Sequence, residues 1–315
     1  MKELPARIIL RTPAKINLFL RVNGKRNDGY HDIITVMQML DLSDEITVEK
    51  SEEINLICTD PDIPSGRENL VYKAVLRLKE YSGTELGAAI TLKKVIPVAA
   101  GLGGGSSDAA ATLFALNIIW GLGYTADRLM DIGRGLGSDI PFFLSSPAAL
   151  GYGRGDELIS LQNPADYWVL LVNPRIPVST AWAYGQLSAD NHHSSPITPH
   201  SKWIGPFETK FELTKEDGHI KIPLPNGLRI EGDKIWLLPL NDLEEVVIKR
   251  YPIIRQIKEK MVACGAMCSL MSGSGSTVFG IFEDKISAER AYTSLQKHGW
   301  RMWIARALGK TPYSY

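Results

Sequence analysis

A lysine and an aspartate in this sequence are of the types that could stabilise charge and accept a proton during phosphoryl transfer. Lys15 lies in Pro13–Leu20, where apolar and polar residues alternate as in a half-buried strand that would hold the ammonium in place. Asp139 lies in Gly137-Ser-Asp-Ile-Pro141, directly before Phe142 and Phe143, where a carboxylate could take a proton from an alcohol. The pattern alone also allows an exposed strand lysine and an aspartate that only shapes a turn or caps a helix.

The stretch Pro97–Ser107 could supply the cradle for phosphate that such a reaction needs. Four of its five residues at positions 101–105 are glycines, and Ser106 and Ser107 follow. A strand-like segment precedes it at 89–95, and a helix-like pattern follows at 109–120. We therefore expect a ring of backbone N–H groups at a helix N-terminus, with Ser106 or Ser107 as the cap. The residue order differs from the common Gly-x-x-x-x-Gly-Lys-Ser/Thr phosphate loop and from the dinucleotide-binding fingerprint.

The elements that position these residues indicate an α+β chain with mixed sheets and helices. The opening half is rich in strands, and a β-β-α-β pattern is predicted at 268–306. A glycine-rich crossing near residue 153 suggests a boundary between domains at 1–153 and 154–315, with 188–238 as an inserted segment. Hairpin-type turns are predicted at three dipeptides: Asn23-Gly24, Asp28-Gly29 and Asn226-Gly227.

Composition excludes several classes of protein. The 315 residues carry 35 basic and 35 acidic side chains, so the net charge is zero, which argues against general binding to nucleic acid or to membrane surfaces. No apolar run is long enough to span a bilayer, and the N-terminal residues do not follow a signal-peptide pattern. Three cysteines do not make a disulfide framework, so we expect reduced thiols and a cytoplasmic location.

Five motifs together resemble those of the GHMP kinases, the superfamily of galactokinase, homoserine kinase and mevalonate kinase. They are Pro13-Ala-Lys-Ile-Asn17, Asp28-Gly-Tyr-His31, Gly101-Leu-Gly-Gly-Gly-Ser-Ser107, Gly137-Ser-Asp-Ile-Pro141 and Met271-Ser-Gly-Ser-Gly-Ser-Thr277. The resemblance implies a two-domain GHMP-kinase fold with the active site in the cleft between the domains. Residues 1–153 would be the ATP-binding domain and residues 154–315 the substrate-binding domain.

The motif Asp28-Gly-Tyr-His31 resembles that of the branch that acts on a cytidyl-bearing alcohol. This implies transfer of the γ-phosphate of ATP to the 2-hydroxyl of 4-diphosphocytidyl-2-C-methyl-D-erythritol, in the non-mevalonate isoprenoid pathway. Lys15 and Asp139 match the catalytic pair, with Asp139 as general base and Lys15 stabilising charge and orienting it. The matched positions on the ATP side are Pro97, Val98, Ala99, Ala100, Gly101, Leu102, Gly103, Gly104, Gly105, Ser106, Ser107 and Asn69.

The same resemblance implies a cytosine site formed by Tyr30, His31 and Tyr184, with Asn17 on the acceptor side. An aromatic ring can stack on a base, and an imidazole can hydrogen-bond to its edge. ATP and Mg2+ are the expected cofactors; Ser107 is a candidate magnesium ligand, but the sequence leaves these ligands open. The expected partner is a small molecule with a cytidine diphosphate group, without nucleic acid or membrane, and the expected state is a monomer or weak homodimer.

Three other functions remain open from the sequence. Another GHMP kinase, acting on homoserine, mevalonate or a sugar, would share the glycine-rich loop but would have no use for a stacked cytosine. A non-catalytic nucleotide sensor on the same scaffold need not keep Lys15, Asp139 and the loop together. A nucleic-acid-binding module would fit the β-β-α-β pattern, although the chain lacks the positive charge that such a module normally carries.

Overall fold

A computed structural model describes residues 4–162, 167–187, 209–213, 225–231 and 234–313. Its longest elements are two paired strands, β1 (Arg7–Lys25) and β2 (His31–Ser51). The register shifts at Pro13/Ala14, Asn17/Phe19 and Val22/Gly24 let both strands continue as they bend. The turn predicted at Asn23-Gly24 is wrong, because Gly24 pairs with Asp32 inside the ladder. The chain reverses instead at Asp28-Gly29, where Gly29 has a φ of 87°.

Among the described residues, the larger sheet has ten strands built around β1 and β2. Its other members are β3 (Ile54–Cys58), β4 (Gly87–Lys93), β5 (Ala148–Tyr152), β6 (Glu157–Gln162), β8 (Thr209–Leu213), β9 (Leu228–Glu231), β10 (Lys234–Leu237) and β11 (Leu240–Asn241). Short β11 runs parallel to β1 at one edge, so residues far apart in sequence share this sheet. A turn is present at Asn226-Gly227, where Leu228 N donates to Pro225 O at 3.1 Å, and β9 follows this turn and pairs with β10; the other strand of the predicted hairpin, at 220–224, lies outside the described residues.

The smaller sheet has four strands in the order β12, β13, β7, β14 among the described residues. These strands are β7 (Trp168–Asn173), β12 (Cys268–Met271), β13 (Val278–Phe282) and β14 (Arg301–Arg306). Helices α7 (Ile253–Ala263) and α8 (Lys285–Leu295) cover it, with Ile257, Met261 and Ala288 buried against its strands. The predicted β-β-α-β pattern is confirmed, and so is the α+β fold with mixed sheets.

The helix α2 (Gly104–Ile119) lies at the centre of the larger apolar core. It is buried on nearly all sides because Ala109, Ala110 and Ala111 let neighbouring elements approach closely. The other α-helices of the described residues are α1 (Leu70–Ser82), α3 (Ala126–Arg134), α4 (Ile140–Ser145), α5 (Thr180–Gly185) and α6 (Asp242–Arg250), and a 3-10 helix follows α8 at Gln296–His298. Thr125 caps α3 by accepting a hydrogen bond from the Arg128 N–H. Within the described ranges, no helix combines the length and the apolar character needed to cross a membrane.

Candidate active site

The predicted pair Lys15 and Asp139 is brought together. The Nζ of Lys15 lies 3.4 Å from the Oδ2 of Asp139, and the lysine side chain is only 5% exposed. Asp139 stands at the start of α4, but its side chain makes no capping hydrogen bond. The alternatives of an exposed strand lysine and of an aspartate whose side chain caps a helix therefore do not describe these residues, although Asp139 does lie in the turn before α4.

The amide of Asn17 fixes the position of the lysine ammonium. Lys15 Nζ donates to Asn17 Oδ1 at 2.7 Å, and Asn17 Nδ2 donates to Thr35 Oγ1 at 2.8 Å. The Thr35 hydroxyl in turn donates to the carbonyl of Phe19 at 2.7 Å. Because each donor has a defined acceptor, the Asn17 oxygen must face Lys15. A buried cation in a polar chain of this kind keeps one orientation beside Asp139.

Backbone conformations with positive φ shape the glycine-rich loop. Ala99, Gly101 and Gly103 all have positive φ, at 50°, 77° and 71°. The expectation that Ser106 or Ser107 caps α2 is wrong: Gly103 is the N-cap, and no side chain caps the helix. The first-turn amides of α2 are thus left for an anion, which is the arrangement that binds phosphate at helix N-termini.

The loop is held between β1 and the second small-residue loop, Ser272–Thr277. Lys15 N donates to Leu102 O at 2.9 Å, and Ser272 Oγ donates to Gly101 O at 2.9 Å. A Cβ atom on Gly101 would lie 2.0 Å from the carbonyl oxygen of Ser272, so only glycine fits there. The second loop, which alone is a weak motif, is therefore a structural support of the first.

A cavity of about 490 Å³ joins these parts, and its volume is that of a small-molecule site. Of the predicted site residues, those lining it are Lys15, Asn17, Asn69, Pro97, Val98, Ala99, Ala100, Gly101, Gly103, Gly104, Gly105, Ser106, Asp139 and Tyr184. The cavity wall also includes Thr180, Gly273 and Ser274 from the part of the chain after residue 154. Leu102 and Ser107 are buried outside this lining, and Tyr30 and His31 also lie outside it.

Two of the predicted cytosine residues, His31 and Tyr184, form an aromatic pair at one side of the cavity. The rings of His31 and Tyr184 are stacked with centroids 5.1 Å apart, and Tyr184 lines the cavity. Burial, together with the charges of Asp139 and Asp242, raises the pKa of Tyr184, so its hydroxyl stays neutral. Tyr30 is 52% exposed.

Arg154 is a site residue that sequence reasoning missed. Its guanidinium carbon lies 4.0 Å from the ring centroid of Tyr30, and the residue lines the cavity. It lies in the turn Gly153-Arg-Gly155, where a charged side chain between two glycines is the only signal that the sequence offers.

Asn69, predicted on the ATP side, has a clear structural task. As the N-cap of α1 it accepts from Val71 N at 2.8 Å, and its amide nitrogen donates to Pro64 O at 2.7 Å. The side chain therefore fixes the segment before α1, which forms part of the cavity wall through Pro64 and Glu68.

A buried charged trio, Lys94, Asp44 and Asp108, lies behind the glycine-rich loop and was also missed. Lys94 Nζ contacts both carboxylates, with its distance to Asp108 Oδ2 at 2.7 Å, and all three side chains are at most 6% exposed. Asp108 also accepts from Thr12 Oγ1 at 2.6 Å. Burial raises the pKa of Asp108 to about 6, with the Lys94 charge opposing and the Asp44 charge adding to the shift.

The groups that could serve as protein ligands for Mg2+ are oxygen atoms at the cavity wall. In the described part of the chain, no group of three or more His, Cys, Asp or Glu side chains could hold a metal ion. A magnesium ion bound with ATP needs few protein ligands, because phosphates and waters supply the rest. Ser106 and Asp139 offer oxygens at the cavity wall, whereas the Ser107 Oγ is buried.

Two models of one known family match parts of this chain. A sequence model of the GHMP kinases N terminal domain matches residues 69–146, and one of the GHMP kinases C terminal domain matches residues 231–299. A 4-diphosphocytidyl-2-C-methyl-D-erythritol kinase from Geobacter sp. (strain M21) is 42% identical over 95% of this chain and 97% of its own length. A protein of the same name from Thermodesulfovibrio yellowstonii is 43% identical over 88% of this chain and 90% of its own.

Solved structures agree with the fold. A crystal structure of a 4-(cytidine 5'-diphospho)-2C-methyl-D-erythritol kinase superposes with a TM-score of 0.73 and 30% sequence identity, covering 96% of this chain and all of that one. A homoserine kinase from Cytophaga hutchinsonii superposes with a TM-score of 0.69 at 16% identity, covering 99% of this chain and 97% of that one. The second similarity concerns the fold alone.

Proposed function

We infer the reaction from both ancestry and geometry: the chain belongs to the 4-diphosphocytidyl-2-C-methyl-D-erythritol kinases, a branch of the GHMP kinases. It is an ATP-dependent small-molecule kinase of isoprenoid synthesis, and its substrate carries a cytidine diphosphate group. We propose that the accepting atom is the 2-hydroxyl of the methylerythritol part, and that the cavity beside Lys15 and Asp139 is where it reacts.

The observation that carries the catalytic proposal is the Lys15–Asp139 pair at the wall of the cavity. Asp139 accepts the proton of the 2-hydroxyl as that oxygen forms a bond to the γ-phosphorus, and the bond to the ADP oxygen breaks. Lys15, held by Asn17, keeps the carboxylate oriented and offsets the negative charge that gathers between the two reactants. With little of its surface in contact with water, this ammonium exerts a stronger field than an exposed one.

The glycine-rich loop is proposed to hold the triphosphate. Its positive-φ residues turn the backbone so that the first-turn amides of α2 can face the phosphate oxygens. Bound together with ATP, Mg2+ would neutralise charge on the β- and γ-phosphates, and Ser106 is the hydroxyl that we assign to its coordination sphere. A Cβ on Gly137 would lie 3.9 Å from Ser106 Oγ, so this hydroxyl is next to the turn that carries Asp139.

The aromatic pair is proposed to hold cytosine. Tyr184 presents a neutral ring at the cavity wall, and His31 stacks on it and can hydrogen-bond to a base edge. Tyr30, which is more exposed than its neighbour His31, would cover the base from the solvent side.

We further propose a cytoplasmic enzyme that acts as a monomer or weak homodimer, with a domain boundary near residue 153. The free thiols Cys58, Cys264 and Cys268 are consistent with a reducing compartment.

A coupled assay of ADP release tests the proposed substrate. We expect turnover with 4-diphosphocytidyl-2-C-methyl-D-erythritol, no comparable kcat/KM with homoserine or mevalonate, and competitive inhibition by CDP. Homoserine and mevalonate are matched controls because they are small alcohols without a nucleobase, and kinases named for them share this fold. Comparable turnover of either control, or no effect of CDP, would contradict the proposed substrate.

A further inference from the structure

The segment that follows β14 leaves the smaller sheet and runs onto the larger one. Arg306 N donates to Asp41 Oδ1 at 2.7 Å, and Ala307 forms a bridge with Leu40. Leu308 N then donates to Met39 O at 2.9 Å, and Gln38 Nε2 donates to Leu308 O at 2.9 Å. We call residues 307–313 the strap. These bonds fix the start of the strap against β2, and from there the strap runs to the larger apolar core.

The strap ends, within the described residues, in a tyrosine buried beside the helix of the glycine-rich loop. Tyr313 is 3% exposed and belongs to the larger apolar core. Its ring stacks on Phe114 of α2, with centroids 5.3 Å apart and planes inclined by 24°. Its hydroxyl lies beside Ser107 and Asp108, which are near the N-terminus of α2. The strap thus joins the smaller sheet to the helix whose N-terminus faces the proposed phosphate site.

Two hydroxyls at this contact lack hydrogen-bond partners among the described residues. They are Ser107 Oγ and Tyr313 Oη, and both atoms are buried. Buried hydroxyls normally have a hydrogen-bond partner, because a buried hydroxyl without one has lost its hydration and gained no bond in return. Burial also raises the pKa of Tyr313, so its hydroxyl keeps its proton and can donate. A neutral donor and an acceptor therefore stand side by side: Ser107 is close enough to lower the pKa of Tyr313 as a hydrogen-bond partner, yet the two hydroxyls do not reach the geometry of a normal hydrogen bond.

We propose that the strap positions the phosphate-binding loop: when nucleotide occupies the loop, Tyr313 Oη donates a hydrogen bond to Ser107 Oγ and fixes the first turn of α2. Tyr313 is then a positioning residue, which touches neither substrate nor the reacting atoms. The proposal rests on the proposed function, because it requires ATP in the glycine-rich loop. It implies that the bond strengthens nucleotide binding and contributes little to the protein without nucleotide.

The test is direct binding of the non-hydrolysable analogue AMP-PNP with Mg2+, measured by calorimetry without the acceptor. For Tyr313→Phe, which keeps the ring and removes the hydroxyl, we expect the Kd to rise about fivefold, the effect of one neutral hydrogen bond. The Tm of the nucleotide-free protein should stay unchanged or rise, because an unpaired buried hydroxyl is gone. Tyr81→Phe is the matched control, since Tyr81 contacts Tyr124 and Arg128 and lies outside the cavity lining.

A double-mutant cycle separates positioning from general loss of packing. If the two hydroxyls bond to each other in the nucleotide complex, Ser107→Ala and Tyr313→Phe should together weaken binding no more than the larger single effect. An unchanged Kd in Tyr313→Phe, or single effects that simply multiply in the double variant, would overturn the proposal. Failure of the wild-type protein to bind the analogue would instead remove the proposed function, and the strap proposal with it.

Discussion

At the scale of single residues, the site depends on side chains whose orientation is set by partners outside the reaction. Lys15 would be a poor catalytic group if its ammonium could turn away, and Asn17 and Thr35 prevent this through successive hydrogen bonds. The sequence predicts Lys15, Asn17 and Asp139 as site residues. It could not predict Thr35, because one threonine in a strand carries no pattern that separates it from its neighbours.

Tyr184 provides a prediction at this scale. Tyr184→Ala should raise the KM for the cytidyl substrate by about 5- to 150-fold, because stacking of a base on an aromatic ring contributes roughly 1–3 kcal/mol. Tyr184→Phe is the matched variant, since it keeps the ring, and it should change this KM little. Steady-state kinetics with both substrates varied would show the effect. A rise in the KM for ATP without a rise for the cytidyl substrate would speak against the stacking role.

At the scale of elements, the glycine-rich loop is shaped as much by its neighbours as by its own sequence. Gly101 has a φ of 77°, and a Cβ there would meet the Ser272 carbonyl oxygen, so the second loop defines what the first can contain. The sequence predicts a strand, a loop and a helix in this order. It does not predict the cap at Gly103, because serine is the usual N-cap and glycine has a lesser preference.

A pair of glycine variants tests this view of the loop. Gly101→Ala should lower the free energy of unfolding by at least about 2 kcal/mol, because it combines positive φ with a clash against backbone. Gly105→Ala is the matched control: a Cβ there meets no atom within 4 Å, and the residue lies in the first turn of α2. The free energy of unfolding of Gly105→Ala should equal that of the wild type or exceed it by up to about 1 kcal/mol. Urea unfolding measures both, and equal losses would refute this explanation.

The charged trio behind the loop predicts a dependence of stability on pH. The pKa of Asp108 is raised from 3.8 to about 6, so between these values the folded protein binds more protons than the unfolded chain. Its contribution to stability therefore falls as the pH rises through this window. Asp108→Asn should make the slope of unfolding free energy against pH more positive there, by at most about 1.4 kcal/mol per pH unit.

Urea unfolding at several pH values between about 4.5 and 6.5 measures this slope. In this range the protonation of Asp108 is expected to differ between the folded and the unfolded protein. Asp284→Asn serves as the control. Its carboxylate accepts from the Ser287 backbone N–H, which lowers its pKa below 3.8, so its stabilising effect is lost only at lower pH. Identical slopes in the wild type and Asp108→Asn would mean that Asp108 titrates normally.

At the scale of the whole molecule, the site forms because segments far apart in the sequence pair in the same sheets. The sequence predicts the α+β class, the helix after the glycine-rich loop and the β-β-α-β pattern of the smaller sheet. It does not predict that β9, β10 and β11 join the sheet of β1, because strand pairing depends on contacts across hundreds of residues. Nor does it predict the strap, whose residues show no periodicity of their own.

Asn241 is a residue through which these long-range contacts can be tested. Its Nδ2 donates to the carbonyls of Met271 and Gly273, both at 2.7 Å, and its Oδ1 caps α6 by accepting from Leu243 N. Asn241→Ala should therefore cost about 2–4 kcal/mol of unfolding free energy, more than the loss of a cap alone. Asp284→Ala, which removes the cap of α8, should cost about 1 kcal/mol. Equal losses in urea unfolding would show that the two carbonyl contacts add nothing.

The most direct test of the account is Asp139→Asn, which keeps the shape of the side chain and removes its ability to accept a proton. Single-turnover kinetics should show at least about a 100-fold loss of phosphoryl transfer, because general bases contribute roughly 10²- to 10⁴-fold. Calorimetry should show the Kd for AMP-PNP within about twofold of wild type, since the carboxylate contributes to chemistry and little to nucleotide binding. Transfer retained within about tenfold of wild type, or loss of nucleotide binding with an unchanged rate per bound ATP, would contradict the role of Asp139 as the base.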